Sequence, residues 1–310
     1  MRVVSLLPSA TEIVYALGVE PVGVSHECDH PPAARELPAV NFSRVDPEAS
    51  SEEIDAQVQE AEREHGGVYG IDVDVLDDLE PDVIVTQGIC DVCAVDEVVV
   101  AEAVEEIDAD PEILTTDPHS LDDVFGDVER VGAALDRPER AAEVVADLRE
   151  RVDAVRERTT DLPAAERPRT AVLDWLAPPM VAGHWVPEIV DIAGGEYGMA
   201  DPGDRSRPRE WADVRAYDPE LLVAGPCGFD LDQTRENLDD LRERPGYADL
   251  AAVEAERAWA VDGHHLLNRP GPRLVETLEV LAGVLHPDRF PAPPESFARP
   301  LSDLAPRTDA

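Results

Sequence analysis

Short apolar runs alternate along the chain with segments whose apolar positions recur at spacings of three and four, the respective signatures of buried strands and amphipathic helices. The runs Val3 to Leu7, Val22 to Ser25, Val83 to Thr86, Ile113 to Thr115, Ala171 to Trp175, Leu221 to Ala224 and Ala258 to Val261 predict strands. Between them the longer period predicts helices at Ala10 to Leu17, Glu97 to Ile107, Leu121 to Leu135, Val186 to Ala193, Leu231 to Glu243 and Pro272 to Leu285. Gly18 and Gly194 stand where a helix would stop, because glycine takes the left-handed conformation without a steric penalty. A further helix over Ser51 to Glu64 begins at a capping region, with Ser50 or Ser51 followed by Glu52 or Glu53.

Strand and helix repeated in this order predict an α/β protein with parallel sheets and helices on their faces. One segment breaks the rhythm. From Arg137 to Thr160 there is no glycine, and Ala142, Val145, Leu148, Val152 and Val155 form one apolar stripe on a charged rod. This predicts a single long helix (137–163) joining two Rossmann-like lobes, 1–136 and 164–310. The Pro-rich tail beyond Pro287 reads as an irregular wrap, partly disordered.

Charge narrows the function classes. The 310 residues carry 68 acidic and 26 basic side chains, a net charge of -42, and every basic residue is arginine. Such a surface repels phosphate backbones and anionic lipid, which argues against nucleic-acid and membrane-surface binding. The acid is spread along the whole chain, as a solvation device would be, and points to adaptation to molar salt, where screening removes self-repulsion. The opening run VVSLL is broken at once by Pro8, so it does not read as a secretory segment, and no apolar stretch is long enough to span a membrane. The expectation is a cytoplasmic protein as written, or an extracytoplasmic one if the true start lies upstream.

In parallel α/β sheets, ligands bind in the loops beyond the carboxyl ends of the strands. Here those loops hold His26, Glu27, Cys28 and His30; Gln87, Cys90 and Cys93; His184 and Trp185; Cys227 and Phe229; and His264, His265, Asn268, Arg269 and Arg273. All four cysteines and five of the eight histidines are among them, so a cleft between two lobes would be lined by thiols, imidazoles, tryptophans and arginines. A single CxxC at Cys90 and Cys93 is a weak zinc signal without a second pair, and the flanking Asp91, Asp96 and Glu97 oppose a reactive thiolate. A lone cysteine such as Cys227 is usually a small buried hydrophobe. The GxSxG, P-loop, GxGxxG and HExxH patterns are absent, which favours a binding protein over an enzyme.

The segments RVVSLLPSATEIVYALGVEPVGVSHECDHPP, LAPPMVAGHWVPEIVDIAGGEYG, SRPREWADVRAYDPELLVAG and NRPGPRLVETLEVLAGVL together resemble the vitamin B12 and iron-siderophore solute-binding proteins of ABC transporters. The resemblance implies a class III periplasmic-binding-protein-like fold, two lobes bridged by one helix with little hinge motion. It implies a corrinoid or related metal chelate in the cleft, and an ABC permease as partner. By the matched motifs, Trp175 and Trp211 fall where aromatics meet the corrin ring, and Asn268, Arg269 and Arg273 where polar groups do; Trp185, His184, His26, Glu27 and Gln87 complete the expected ligand-binding set. The first lobe departs from the family by offering thiols and imidazoles in place of aromatics. Two alternatives follow: a zinc ion or iron-sulfur cluster held by Cys28, Cys90, Cys93 and Cys227, or a cytoplasmic enzyme on the same scaffold.

Circular dichroism across a salt series tests the reading of the acidic surface. The fold is expected to be complete in molar salt and lost on dilution; a spectrum that stays folded without salt contradicts salt adaptation.

Overall fold

In the computed structural model, which describes residues 1–47, 49–89, 95 and 97–304, the apolar runs form strands buried on both faces. The chain before the long helix contains β1 (Val3–Ser5), α1 (Pro8–Ala16), β2 (Gly23–Val24), β3 (Asn41–Ser43), α2 (Ser51–His65), β4 (Tyr69–Ile71), α3 (Val73–Asp78), β5 (Val83–Gln87), α4 (Glu97–Val104), β6 (Glu112–Thr116) and α5 (Leu121–Ala134). Then comes α6 (Pro138–Thr159). After it come β7 (Thr170–Leu176), β8 (Pro179–Val181), α7 (Val186–Ile192), β9 (Arg207–Pro208), α8 (Trp211–Tyr217), β10 (Leu221–Ala224), α9 (Leu231–Glu236), α10 (Asp239–Arg242), α11 (Ala251–Glu254), β11 (Ala258–Val261), α12 (Leu274–Leu285) and β12 (Ala298–Pro300).

The first lobe's sheet has the order β2-β1-β5-β6 and is parallel throughout. The second has the order β12-β11-β10-β7-β8-β9, with a parallel centre β11-β10-β7 and antiparallel edges. Alternate residues of each strand enter different cores. Val3, Val83 and Val85 pack with α1 and α5, whereas Val4 and Ile84 pack with Leu76 and Val100. Val172, Val223 and Val261 likewise join the core of α7 and α12, while Leu173, Leu222 and Ala260 join that of Trp211 and Leu241.

Helix α6 buries Ala141, Val144, Val145, Leu148, Val152 and Val155 in the same core as α1, α5, α7 and α12, so one continuous apolar seam fastens the helix to both sheets. The expected stripe is correct except at its start, where Ala142 is exposed and Ala141 and Val144 face inward. The capping box of α2 is Ser50 with Glu53, and Gly66 ends that helix at φ 71°.

Three expectations differ from the structure. The stretch Leu231 to Glu243 is two short helices, because Asn237, at φ -102° and ψ 8°, leaves the helical path between α9 and α10. The tail is not an irregular wrap throughout: Ala298–Pro300 pairs antiparallel with β11 and closes that edge of the sheet. The short strands β3 and β4, which pair with each other as a separate two-stranded sheet, and β8 and β9, which extend the second sheet beyond β7, carry little apolar periodicity and do not follow from it.

Candidate functional site

The loop after β2 carries Ser25 to His30, and the loop after β11 begins with a single π-helical turn, Gly263–Leu267. These two loops meet between the lobes. Arg269, 4% exposed, crosses from the second lobe to the first: its guanidinium lies 2.6 Å from Oδ1 of Asp29 and 3.5 Å from Oε1 of Glu12. Glu12, also 4% exposed, is reached by Arg273 at 3.6 Å. Gly271 permits this approach, since a Cβ there would stand 3.1 Å from the Ser9 backbone of the other lobe. Burial pushes the Glu12 carboxyl up to about 7 against the opposing pull of the two arginines. Burial also acts upward on Asp29, but the contacts from His264, His265 and Arg269 outweigh it and hold that carboxyl far below the usual range.

Histidines surround the same point. Nε2 of His265 lies 3.0 Å and Nε2 of His264 3.4 Å from Oδ2 of Asp29. His265 is lifted to about 9 by Asp262, 2.8 Å from its Nδ1, and by Asp29. On the first lobe, Nδ1 of His26 lies 2.9 Å from Oδ1 of Asn41, and its Nε2 lies 3.3 Å from Glu27. Glu27 in turn reaches His264 at 3.7 Å. A cavity of about 540 Å³ opens beside this cluster, lined by Asp29, His30, Arg35, Arg151, His265 and Arg273 among others.

Among the described residues, the lobes also touch at Ser51 and at His119. Ser51, at the first turn of α2, donates through its backbone N–H and hydroxyl to Oδ1 of Asn237, both at 3.2 Å, and through its hydroxyl to Asp240. The His119 ring stacks on His184 at 5.6 Å, and Glu188 accepts from the Leu121 N–H at 2.9 Å. His184 adopts φ 51°, and burial together with the neighbouring His119 lowers its ring to about 4.

The aromatic part of the expected site is smaller than the sequence indicates. Trp175 is half-buried, tilted against Phe229 at a centroid distance of 5.2 Å, with its indole N–H donating to Ala177 O. Trp211 is 9% exposed and belongs to the second lobe's core, stacked on Tyr247 and donating to Pro245 O. Trp185 is 6% exposed, packed in the core of α6 and α12, and donates to Leu267 O. Both are corrected from cleft contacts to framework residues. Asn268 is a brace, its amide donating to Gly225 O and Gly263 O. Gln87 is buried at the end of β5. Asp174, just before Trp175, accepts from Ser206, while its Oδ1 is enclosed with no hydrogen-bond partner, and burial raises its carboxyl to about 7.

Of the four expected thiol ligands, two fall within the described residues. Cys28 is buried against Val24 and Ala34 with its Sγ 2.9 Å from Oγ1 of Thr11, and burial pushes its thiol up to about 12, so it is a neutral core thiol. Cys227 is half-buried. Cys90 and Cys93 lie outside the described residues. Among the described residues, the one grouping of three metal-ligating side chains is Asp29, His264 and His265, which contains no cysteine.

The family model described as periplasmic binding protein matches residues 3–262. The chain belongs to that family. This periplasmic binding protein is 23% identical over 297 residues to the uncharacterized ABC transporter substrate-binding lipoprotein YvrC of Bacillus subtilis, covering 93% of this chain and 81% of the relative. It is 24% identical over 283 residues to a vitamin B12-binding protein of Vibrio cholerae, covering 90% and 86%. Among solved structures, the periplasmic heme-binding protein RhuT from Roseiflexus sp. RS-1 superposes with a TM-score of 0.69 at 24% identity, covering 92% of this chain and 98% of the other.

The sequence did not single out Glu12 and Asp29, the acids that receive Arg269. Glu12 had a signal, a lone carboxylate inside the otherwise apolar and small-residue helix α1.

Removing one member of a buried, hydrogen-bonded ion pair leaves its partner uncompensated and costs about 3–5 kcal/mol, whereas an exposed pair is worth about 1 kcal/mol or less. Arg269→Met is therefore expected to lower the denaturation midpoint far more than Arg151→Ala, which breaks the exposed pair with Glu279. Equal shifts in chemical unfolding, at a salt concentration where both variants are folded, would contradict the ranking.

Proposed function

We propose that this protein is a solute-binding protein that holds a corrinoid of the cobalamin type between its two lobes and hands it to an ABC permease. The observation that carries this reading is Trp175, half-buried and backed by the buried ring of Phe229. Trp175 stands near the carboxyl end of β7 and Phe229 on the loop after the neighbouring β10, and Phe229 O accepts from the N–H of His264, the residue that reaches Asp29 across the lobe boundary. Aromatic rings offer large apolar area with few rotatable bonds to freeze, which suits the face of a flat macrocycle. Polar groups on the loops between the lobes, His26, Glu27 and Arg273, fit the amide-bearing rim of such a ligand. The Vibrio relative, a vitamin B12-binding protein, and the Roseiflexus structure, a heme-binding protein, support the same ligand class, flat macrocyclic chelates of a metal. The permease follows from the Bacillus relative, an ABC transporter substrate-binding lipoprotein.

Titration with cobinamide or cobalamin, followed by tryptophan fluorescence, tests this reading. Saturable quenching is expected, and Trp175→Ala is expected to weaken binding by about 1–3 kcal/mol, as truncation of an aromatic anchor does. Trp211→Phe, a change in the core, leaves the affinity in place. Absence of quenching up to about millimolar ligand overturns the corrinoid assignment, and saturable binding of haem alone replaces the ligand.

A further inference from the structure

We propose that Asp29, His264 and His265 form a binding site for a divalent transition-metal ion that bridges the two lobes. One ligand atom from each of these residues lies within 4.8 Å of the other two. Two of the three separations are 3.0 Å and 3.4 Å, both measured from Oδ2 of Asp29. A tetrahedral ion with bonds of roughly 2.0–2.1 Å sets its ligand atoms roughly 3.3–3.4 Å apart. The donors therefore stand near coordination spacing already.

The surroundings point the same way. Oδ2 of Asp29 is shielded from solvent and accepts no aligned hydrogen bond, although the oxygen beside it is fully engaged by Arg269 at 2.6 Å. His265 is oriented from behind. Its backbone N–H donates to Oδ1 of Asp262 at 2.6 Å, and its Nδ1 lies 2.8 Å from Oδ2 of the same carboxylate. A carboxylate on Nδ1 holds a ring proton there, the usual support of a metal-bound histidine. Nε2 faces Asp29, and an ion bound there would displace the proton from that nitrogen.

One contact must yield. Nη2 of Arg269 lies 3.1 Å from Nε2 of His264, and an ion at the site would take over that nitrogen, leaving the guanidinium to Asp29 and Glu12. Two imidazoles and one carboxylate suit zinc, nickel or cobalt rather than calcium or magnesium, which prefer oxygen donors throughout. An ion can enter through the cavity of about 540 Å³ that Asp29 and His265 help to line. The net charge of -42 also concentrates cations at the surface.

The test is calorimetric titration of chelator-stripped protein with Zn²⁺, in salt sufficient to keep it folded, with circular dichroism as the check on every variant. Saturable binding of a single ion per chain is expected. His264→Gln and His265→Gln should each weaken it by at least about tenfold, and Asp262→Asn, which removes the orienting carboxylate, by about 10–100-fold. The Cys90→Ser/Cys93→Ser double variant should retain the ion. Co²⁺ offers a readout on the unmutated chain, since visible ligand-field bands without thiolate charge-transfer absorption are expected. The proposal is overturned by absence of Zn²⁺ binding at about 100 μM, by affinity unchanged in both histidine variants, by loss of the ion in the double cysteine variant, or by thiolate absorption from bound Co²⁺.

Discussion

The relation between the two lobes depends on one buried cation. Arg269 leaves the loop after β11, enters the other lobe and is met there by Asp29 and Glu12, with Arg273 reaching Glu12 from the same side. Desolvating such groups costs several kcal/mol per charge and is offset only when the geometry is held closely. Gly271 and Asn268 hold it: the glycine lets the loop lie against Ser9, and the amide ties the loop to Gly225 and Gly263. Because a misplaced guanidinium would take from two enclosed carboxylates the cation they share, the pairing fixes the approach of the lobes more sharply than the apolar seam along α6 could. Apolar packing is tolerant of small slides, whereas paired charges are not.

The two remaining lobe contacts, Ser51 with Asn237 and His119 with His184, are of a weaker kind. They consist of a few hydrogen bonds at Ser51 and a ring stack at His119, each interaction worth on the order of 1 kcal/mol. The molecule therefore has one strong point of attachment beside the long helix and two light ones, an arrangement suited to admitting a large ligand without a wide hinge. Trp175 packs on Phe229, whose carbonyl holds the N–H of His264, so the ring assigned to the chelate and the groups that set lobe geometry share a scaffold.

The central strands and the long helix were legible because each is stabilised by a periodic apolar pattern: Val83 to Val85 is buried on both faces, and Val145, Leu148, Val152 and Val155 repeat at helical spacing. Edge strands such as β9 (Arg207–Pro208) and the tail strand β12 were not, since they form through backbone pairing with a neighbour distant in sequence. The site was legible at the level of loops. Reading the carboxyl ends of the strands found His26, Glu27, His264, His265 and Arg269, but residue type misled where burial decides chemistry. Trp211 and Trp185 are large aromatics whose rings fill cores, and Cys28 is a thiol whose neighbours are apolar. Conversely, Glu12 and Asp29 were hidden among 68 acidic residues, and only the arrival of Arg269 from residues far along the chain distinguishes them.

The distance between the lobes tests the central claim most directly. Spin labels at the exposed positions of Glu106 and Asp249, introduced as cysteines in a chain lacking its native ones, report that distance by pulsed electron resonance. A single narrow distribution is expected, shifting by less than about 2 Å when cobinamide is added, and broadening in the Arg269→Met background. A broad distribution in the parent chain, or one indifferent to the loss of Arg269, would contradict a lobe geometry set by this buried charge.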